Sequence, residues 1–274
     1  MTDTNQPTPS RKATAADLVC ELDEKVFEYY RAYYRDDLGL PGWEQRIESF
    51  RRNEEALTGA RLEYLAHYTD VSLDARRALV VGCGTGAEMF YLAGKPGIEV
   101  HGIEPFESAI DICRLKAKLL GLPLERVHKQ AAERMNFPDG HFDLVVCFTV
   151  LEHVADVDAA LHEMARVLAP GGKALIVLPD YAYPEEPHYK VLALPPAFFP
   201  GVVKAQLERA GRPTAFFDSL NLLTRRSLGR RLRRLGIPHR FVRERSYRAN
   251  PLLLIKLYSL LCGVDRNQFL VLMK

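Results

Sequence analysis

A glycine-rich loop stands directly after a strongly apolar segment. Residues 78–81 lead straight into Gly82-Cys83-Gly84-Thr85-Gly86, and glycines here allow a tight turn and a close approach of backbone N–H groups to a ligand. Glu104 follows 18 residues after Gly86, at the end of the next apolar segment. Its carboxylate could accept hydrogen bonds from both hydroxyls of a ribose. The loop and this acid predict a nucleoside-containing ligand at the carboxyl edge of a parallel sheet.

Three further side chains are candidates for proton transfer, namely Glu152, His153 and His188. The pair Glu152-His153 follows an apolar run, where it could act on an acceptor or only shape a pocket floor. His188 lies in a polar cluster of an irregular segment, which could orient an acceptor or be a solvated loop. The other members of this cluster are Glu185, Glu186 and Tyr189. Because an unperturbed histidine has a pKa near ~6.5, His188 could accept a hydroxyl proton at neutral pH.

Along the chain, segments with a strand-like pattern alternate with segments that have a helix-like pattern, and these elements must position the candidate residues. Such alternation predicts an α/β fold with a doubly wound, mostly parallel sheet. The predicted strands are 78–81, 98–103, 143–148, 173–178, 239–244 and 269–273, and the predicted helices include 108–120, 157–168, 225–235 and 252–261.

The chain is expected to divide into five consecutive segments. Residues 1–14 are rich in Thr and Pro and predict a flexible tail, and the aromatic stripes of 15–75 predict an N-terminal helical lid. Residues 76–180 would form the ligand-binding core. The proline-rich segment 181–223 is too long for an ordinary connection and predicts a roof over an acceptor. Residues 224–274 would complete the sheet.

The composition excludes several classes of protein. Apolar residues make up 47% and charged residues 26% of the chain, which is typical of a globular domain. A net charge of +2 gives no reason to expect nucleic acid as a partner. The five cysteines show no CxxC spacing, which favours reduced thiols and a cytoplasmic protein. The start of the chain lacks an apolar signal sequence, and no apolar run is long enough to span a membrane.

The glycine loop alone is compatible with more than one function. Gly82, Gly84 and Ala87 also fit the dinucleotide pattern GxGxxG/A, so an NAD(P)-dependent oxidoreductase is an alternative. The turn Pro170-Gly171-Gly172, and the absence of a Tyr-x-x-x-Lys pair after the fourth strand, count against it. A regulatory module that binds a cofactor without catalysis is a third alternative.

Three downstream segments favour one interpretation. They read NFPDGHFDLVV at 136–146, VLEHV at 150–154 and RVLAPGG at 166–172. With these segments the chain resembles the class I S-adenosylmethionine-dependent methyltransferases, in particular the small-molecule branch that includes the quinone-biosynthesis enzymes. The resemblance is close over 78–179 and looser over the last fifty residues. It implies a Rossmann-like, seven-stranded sheet with an antiparallel last strand, S-adenosylmethionine as cofactor, and methyl transfer to a small organic acceptor.

The resemblance also implies residue roles. The glycines would line the methionine part of the cofactor, and Glu104 would hold the ribose. Ala132 and Glu133 would border the adenine, and Phe148 would lie beside the sulfonium. The implied cofactor-binding residues are Gly82, Cys83, Gly84, Thr85, Gly86, Glu104, Pro105, Ala132, Glu133 and Phe148.

Two positions depart from the family pattern. Ala131 stands where the family often has an Asp for the adenine amino group, so backbone groups would have to recognise adenine. Thr149 stands where some quinone-pathway relatives have an extra acid, three residues before Glu152, that contributes to a metal site. We therefore expect no metal requirement.

The acceptor is predicted only in outline. Oxygen is favoured over nitrogen or carbon, and residues 181–189, 211–213 and 221–224 look similar to methyltransferases of bacterial sugar and cell-surface polysaccharide pathways. This similarity indicates a glycan or lipid-linked acceptor. The six arginines of 225–234 could be a solvated helix face or could contact phosphates. Weak contact with a membrane surface and a homo-oligomer stay open.

Aromatic residues of the helical lid also have two interpretations. They could contact the acceptor or simply pack against neighbouring helices, and packing is the commoner use of such stripes. These residues are Tyr29, Tyr30, Tyr33, Tyr34 and Trp43.

Overall fold

The computed structural model describes residues 14–243 and 253–274. Most of the predicted tail therefore lies outside the described residues, as do Glu244 and Leu252, which were expected to end a strand and begin a helix. The helices are α1 Ala15–Arg31, α2 Trp43–Thr69, α3 Ala87–Ala93, α4 Glu107–Leu119, α5 Val157–Val167, α6 Pro200–Arg209, α7 Ala215–Asp218, α8 Arg225–Arg234 and α9 Leu253–Cys262. The strands are β1 Arg77–Val81, β2 Glu99–Glu104, β3 Val127–Lys129, β4 Phe142–Phe148, β5 Leu168–Pro179, β6 Glu185–Glu186, β7 Val191–Leu192, β8 His239–Val242 and β9 Asn267–Met273. A π-helical turn, Ala32–Asp37, follows α1.

Seven of these strands form one sheet in the order β3-β2-β1-β4-β5-β9-β8. Strands β1 to β5 pair in parallel, and β9 is antiparallel to both β5 and β8. The predicted fold class, a seven-stranded and mostly parallel sheet with an antiparallel last strand, is confirmed. The pattern did not reveal β3, because three residues are too few to show a strand period. Val81 pairs with Ile103 and Cys147, so the ends of β1, β2 and β4 lie at one edge.

The sheet is covered on both faces, as its continuous apolar strands predict. Leu79 and Val81 of β1 pack in a core with residues of α5 and α8. Ala78 and Val80 pack in a second core with residues of α2, α3 and α4. Alternate residues of one strand thus face opposite helical layers, which fixes the position of the loop that follows β1.

A third, smaller core joins the lid to the roof. Leu38 and Leu40, which follow the π-helical turn, pack with Tyr181, Tyr189 and other buried residues of the roof. The Tyr189 hydroxyl donates to the Pro213 carbonyl at 2.8 Å. Segments that are 140 residues apart in sequence therefore form one cap over the carboxyl edge of the sheet.

The apolar stretch predicted at 252–261 is not part of a core where the structure describes it. Leu253, Leu254, Leu257, Leu260 and Leu261 of α9 are all exposed. The helix contacts the fold through the buried Ser259 and through Tyr258, whose hydroxyl donates to the Ala182 carbonyl. Within the described ranges, no helix combines the length and apolar character needed to cross a membrane.

Candidate active site

A cavity of about 1280 Å³ opens at the carboxyl ends of β1, β2 and β4. One side is formed by the loops after these strands and after β3. The opposite side is formed by α1, the π-helical turn, α2, the roof tip and the loop before β9. Ten predicted site residues line it, namely Gly82, Gly84, Thr85, Glu104, Pro105, Ala132, Glu133, Phe148, His153 and His188.

The other three predicted site residues lie behind the cavity wall. Cys83 is buried, with its sulfur facing Gly102 in the core. Gly86, at φ +92°, has Phe90 within 2.3 Å of the place of a Cβ, so it permits close packing of α3. Glu152 is fully buried and does not line the cavity. Cys83 and Gly86 thus support the loop from behind.

The glycine loop and Glu104 are joined by hydrogen bonds. Gly84 N donates to Glu104 Oε2 at 3.1 Å, and Phe106 N donates to Oε1 at 3.2 Å. Burial raises the pKa of Glu104, while these two N–H donors favour its ionised form and lower it. Gly84 has φ +51°, and nothing lies within 4 Å of the place of a Cβ. The loop therefore presents free space and a fixed carboxylate beside it.

Glu133 ties the loop after β3 to the segment after β4. Its Oε1 accepts a hydrogen bond from Ala155 N at 2.7 Å. Ala131 and Ala132 line the same part of the cavity. In this region the wall therefore offers mainly backbone groups and small side chains, and the Glu133 carboxylate is already engaged.

His188 is held by a buried carboxylate. Its Nδ1 lies 2.9 Å from Glu186 Oε1, and Glu186 Oε2 accepts from Tyr189 N at 2.6 Å. Glu186 is fully buried, so its charge acts at low dielectric. If Nδ1 carries the proton, the hydrogen bond to Glu186 leaves Nε2 as the acceptor of His188. This arrangement is suited to a general base.

His153 lies beside His188 but has a different electrostatic environment. The ring centroids are 5.2 Å apart. Poor hydration of the ring and the neighbouring His188 lower the pKa of His153 to about 4, although the side chain is open to the cavity. A neutral imidazole with so low a pKa is a weak base, so of the two histidines His188 is better suited to accept a proton.

Glu152 completes a cluster with these histidines. Neither of its oxygens has a hydrogen-bond partner in another described residue. Burial raises the pKa of Glu152 to about 7, against the opposing effect of His188. Glu152, His153 and His188 each place a ligand atom within 4.8 Å of the other two. Their oxygen and nitrogen donors could hold a divalent cation, whereas the sequence, with Thr149 in place of an extra acid, predicted no metal requirement.

The lid tyrosines contact the cavity. Tyr29, Tyr30, Tyr33 and Tyr34 all line it, and the hydroxyl of Tyr30 lies 3.1 Å from the Thr85 hydroxyl. Of the two interpretations that the sequence left open, a position on the cavity wall therefore applies to these four side chains. Packing is the right interpretation for Trp43, which lies against the Phe27 ring and the Arg35 guanidinium and does not line the cavity.

Only the tip of the predicted roof reaches the cavity. Pro187, His188 and Lys190 line it. Phe198 and Phe199, two aromatic residues of the predicted roof, are 61% and 46% exposed and do not line the cavity. The arginines of α8 also lie outside the lining. Two of them, Arg231 and Arg234, form ion pairs with Asp158.

Sequence reasoning missed a set of polar residues on the side of the cavity formed by α2, the roof tip and the loop before β9. Each is an ordinary polar residue in its local pattern and reaches the cavity only through tertiary packing. They are Gln45, Arg46, Ser49, Arg61, Lys190, Arg266 and Asn267.

Comparison with known proteins identifies the central part of the chain. Residues 79–176 match the family described as a methyltransferase domain. Norajmaline N-methyltransferase of Rauvolfia serpentina is 32% identical over 145 residues, which cover 52% of this chain and 49% of that protein. Ubiquinone biosynthesis O-methyltransferase of Alkalilimnicola ehrlichii is 37% identical over 117 residues, which cover 42% and 46%. The matches thus span about half the length of these curated relatives.

A solved structure shows how far the fold extends beyond this domain. Geranyl diphosphate C-methyltransferase of Streptomyces coelicolor, solved with Mg²⁺, geranyl diphosphate and S-adenosylhomocysteine, superposes with a TM-score of 0.53. The alignment covers 92% of this chain and 97% of that protein at 18% identity. At this identity the similarity is one of fold.

Proposed function

Because residues 79–176 belong to the methyltransferase domain family, we propose that this chain is an S-adenosylmethionine-dependent methyltransferase acting on a small organic acceptor. One observation carries the proposal. A single cavity has the glycine loop and Glu104 on one side and the His188–Glu186 pair on the other. When bound, S-adenosylmethionine supplies a methyl group that its sulfonium has already made electrophilic.

The residues present fit this cofactor. The open space at Gly84 permits a close backbone approach, and Glu104 has lone pairs left for ribose hydroxyls after accepting two N–H groups. Phe148 ends β4 on the cavity wall, and because the Arg61 guanidinium already lies 5.2 Å from its ring centroid, we count it only as an apolar part of that wall. The matched methyltransferase domain supports the same cofactor and counts against the nicotinamide alternative.

The chain's own contribution is positioning, exclusion of water and removal of a proton. Alignment of two reactants can contribute about 7 to 11 kcal/mol in the best cases. The tyrosines of α1 and of the π-helical turn line the cavity and reduce access of water. His188 would accept the proton of an acceptor hydroxyl, and the buried Glu186 would stabilise the resulting imidazolium.

The His188–Glu186 pair is our reason to favour oxygen as the methylated atom, since a hydroxyl must lose a proton. The relatives are named as an N-methyltransferase and an O-methyltransferase, so they do not distinguish nitrogen from oxygen as the methylated atom. Our proposal of a sugar or lipid-linked acceptor is supported by the sequence of the roof alone. A cytoplasmic location rests on the unpaired state of the five cysteines.

Ligand-dependent stabilisation tests the cofactor. The melting temperature of the full chain is measured with S-adenosylmethionine, S-adenosylhomocysteine, NAD and NADP. A ligand at 100 times its Kd stabilises by about 2.7 kcal/mol, so we expect a clear rise with the first two compounds. A rise with NAD or NADP alone would favour the oxidoreductase. Tight cofactor binding without transfer of labelled methyl to any hydroxylated acceptor would favour the regulatory module.

A further inference from the structure

The acceptor side of the cavity carries an excess of positive charge. Arg46, Lys190 and Arg266 line this side, and a fourth cation, Arg61, lines the cavity nearer to the cofactor side. The described residues lining the acceptor side include no carboxylate. The cavity-lining carboxylates, Glu104 and Glu133, lie on the cofactor side, and both accept backbone N–H groups.

Most of this charge is not neutralised by the protein. Arg46 and Lys190 form no ion pair with another described residue, whereas Arg266 pairs with Glu185. The Arg61 guanidinium lies 5.2 Å from the centroid of the Phe148 ring, toward the cofactor side. Poor hydration of the ammonium group, Arg266 and Arg46 lower the pKa of Lys190, and Glu185 and Glu186 oppose them, although the side chain is exposed to the cavity. Arg46 and Arg266 therefore both act electrostatically on Lys190.

The backbone holds Lys190 in an unusual conformation. Its φ is +57°, a region that side-chain-bearing residues seldom adopt and that is found at functional sites. The strained residue is two positions after His188, at the roof tip that enters the cavity. Lys190 is therefore a cavity-lining cation two residues away from the proposed base.

We propose that the acceptor carries an anionic group, a carboxylate or a phosphate, which is bound by Arg46, Lys190 and Arg266. This inference rests on the proposed function and narrows its substrate class. The three cations come from the first turns of α2, the roof tip and the loop before β9. An oxyanion between them would connect lid, roof and sheet edge, and the fork of an arginine matches its geometry.

Anion titration of the full chain tests the proposal. Inorganic phosphate and benzoate are titrated calorimetrically into protein saturated with S-adenosylhomocysteine, with sodium chloride keeping the ionic strength constant. We expect at least one anion to bind and its affinity to fall about tenfold or more in the double variant Arg46→Gln/Lys190→Asn. Asn is used because it tolerates a positive φ. The anion that loses affinity identifies the group as phosphate or carboxylate.

The matched control removes two cations outside the cavity, in the variant Arg226→Gln/Arg230→Gln on the exposed face of α8. It should bind the anion as the wild type does. Equal anion affinity in the wild type and in Arg46→Gln/Lys190→Asn, or an equal loss in the control, would overturn the proposal. Unchanged S-adenosylhomocysteine affinity shows that the variants are folded. If the wild type does not bind S-adenosylhomocysteine, the proposed function fails, and the same titration without it still tests the anion site.

Discussion

The two sides of the cavity are built in different ways. The cofactor side comes from loops that directly follow neighbouring parallel strands, and its key groups are backbone N–H groups, small residues and two carboxylates. The acceptor side comes from segments distant in sequence, from α1 to the loop before β9, and is formed by tyrosine, histidine and basic side chains. A loop that strand pairing holds in place is suited to binding a ligand that does not vary, such as a cofactor. Side chains on packed helices and a roof can vary with the acceptor.

The two sides also differ in what holds them in place. Strand pairing positions Gly82 and Glu104, because each follows or ends a central strand of the sheet. The third core of lid and roof residues positions the acceptor side. Mutations should therefore separate the two functions, with cofactor affinity sensitive to one side and turnover to the other.

The largest expected effect is on the acceptor side. His188→Ala removes the proposed general base and should lower kcat about 100-fold or more, while the affinity for S-adenosylhomocysteine stays the same. Methyl-transfer kinetics and calorimetry on the same preparation measure the two quantities. The exposed His162 of α5 provides the control, and His162→Ala should change neither. A parallel loss of cofactor affinity would show that the two sides are not separable and that His188 has a structural role.

The next effect is on the cofactor side. Glu104→Ala removes a carboxylate that fixes the glycine loop and is placed for the ribose, and should weaken S-adenosylhomocysteine binding by about 1.5 to 3 kcal/mol. Calorimetry measures this loss. Glu107→Ala, at an exposed acid three residues further on, is the control and should bind normally. Unchanged affinity in Glu104→Ala would remove this residue from the cofactor site.

The sequence predicted these two sides unequally, for a physical reason. The glycine loop and Glu104 are revealed by local pattern, because a strand end and its loop are close in sequence. His188 was found because histidine chemistry stands out in an irregular segment. Arg46 and Lys190 were not, because nothing in their neighbourhood indicates that the third core brings α2 and the roof tip to one cavity.

A smaller effect is expected on the stability of the protein, from the buried Glu152 behind the cavity wall. Burial raises the pKa of Glu152 from 4.5 to about 7, so between these values the folded protein holds a proton that the unfolded chain releases. The free energy of unfolding should therefore fall as the pH rises through this window. Relative to Glu152→Gln, which cannot ionise, the wild type should lose about 2 kcal/mol between roughly pH 5.5 and pH 8. Urea unfolding at both pH values measures it, and a constant difference would contradict a neutral buried Glu152.

The smallest expected effect is that of a chelator. Glu152, His153 and His188 could hold a cation, since their ligand atoms lie within 4.8 Å of one another. Yet Glu152 is fully buried behind the wall, and the Nδ1 of His188 is already engaged by Glu186. Thr149 provides no carboxylate at the cavity surface. A cation held by Glu152 would therefore lie away from the acceptor and would compete with the proposed base for its lone pair.

We accordingly expect turnover to be unchanged after treatment with EDTA and dialysis. Metal content measured before and after treatment shows whether a cation was present and removed. Loss of activity that magnesium or zinc restores would contradict the prediction and assign His188 to a metal site. A cation held there would then coordinate the acceptor oxygen and lower the pKa of the acceptor hydroxyl. In that case His188→Ala should abolish the metal binding together with the turnover.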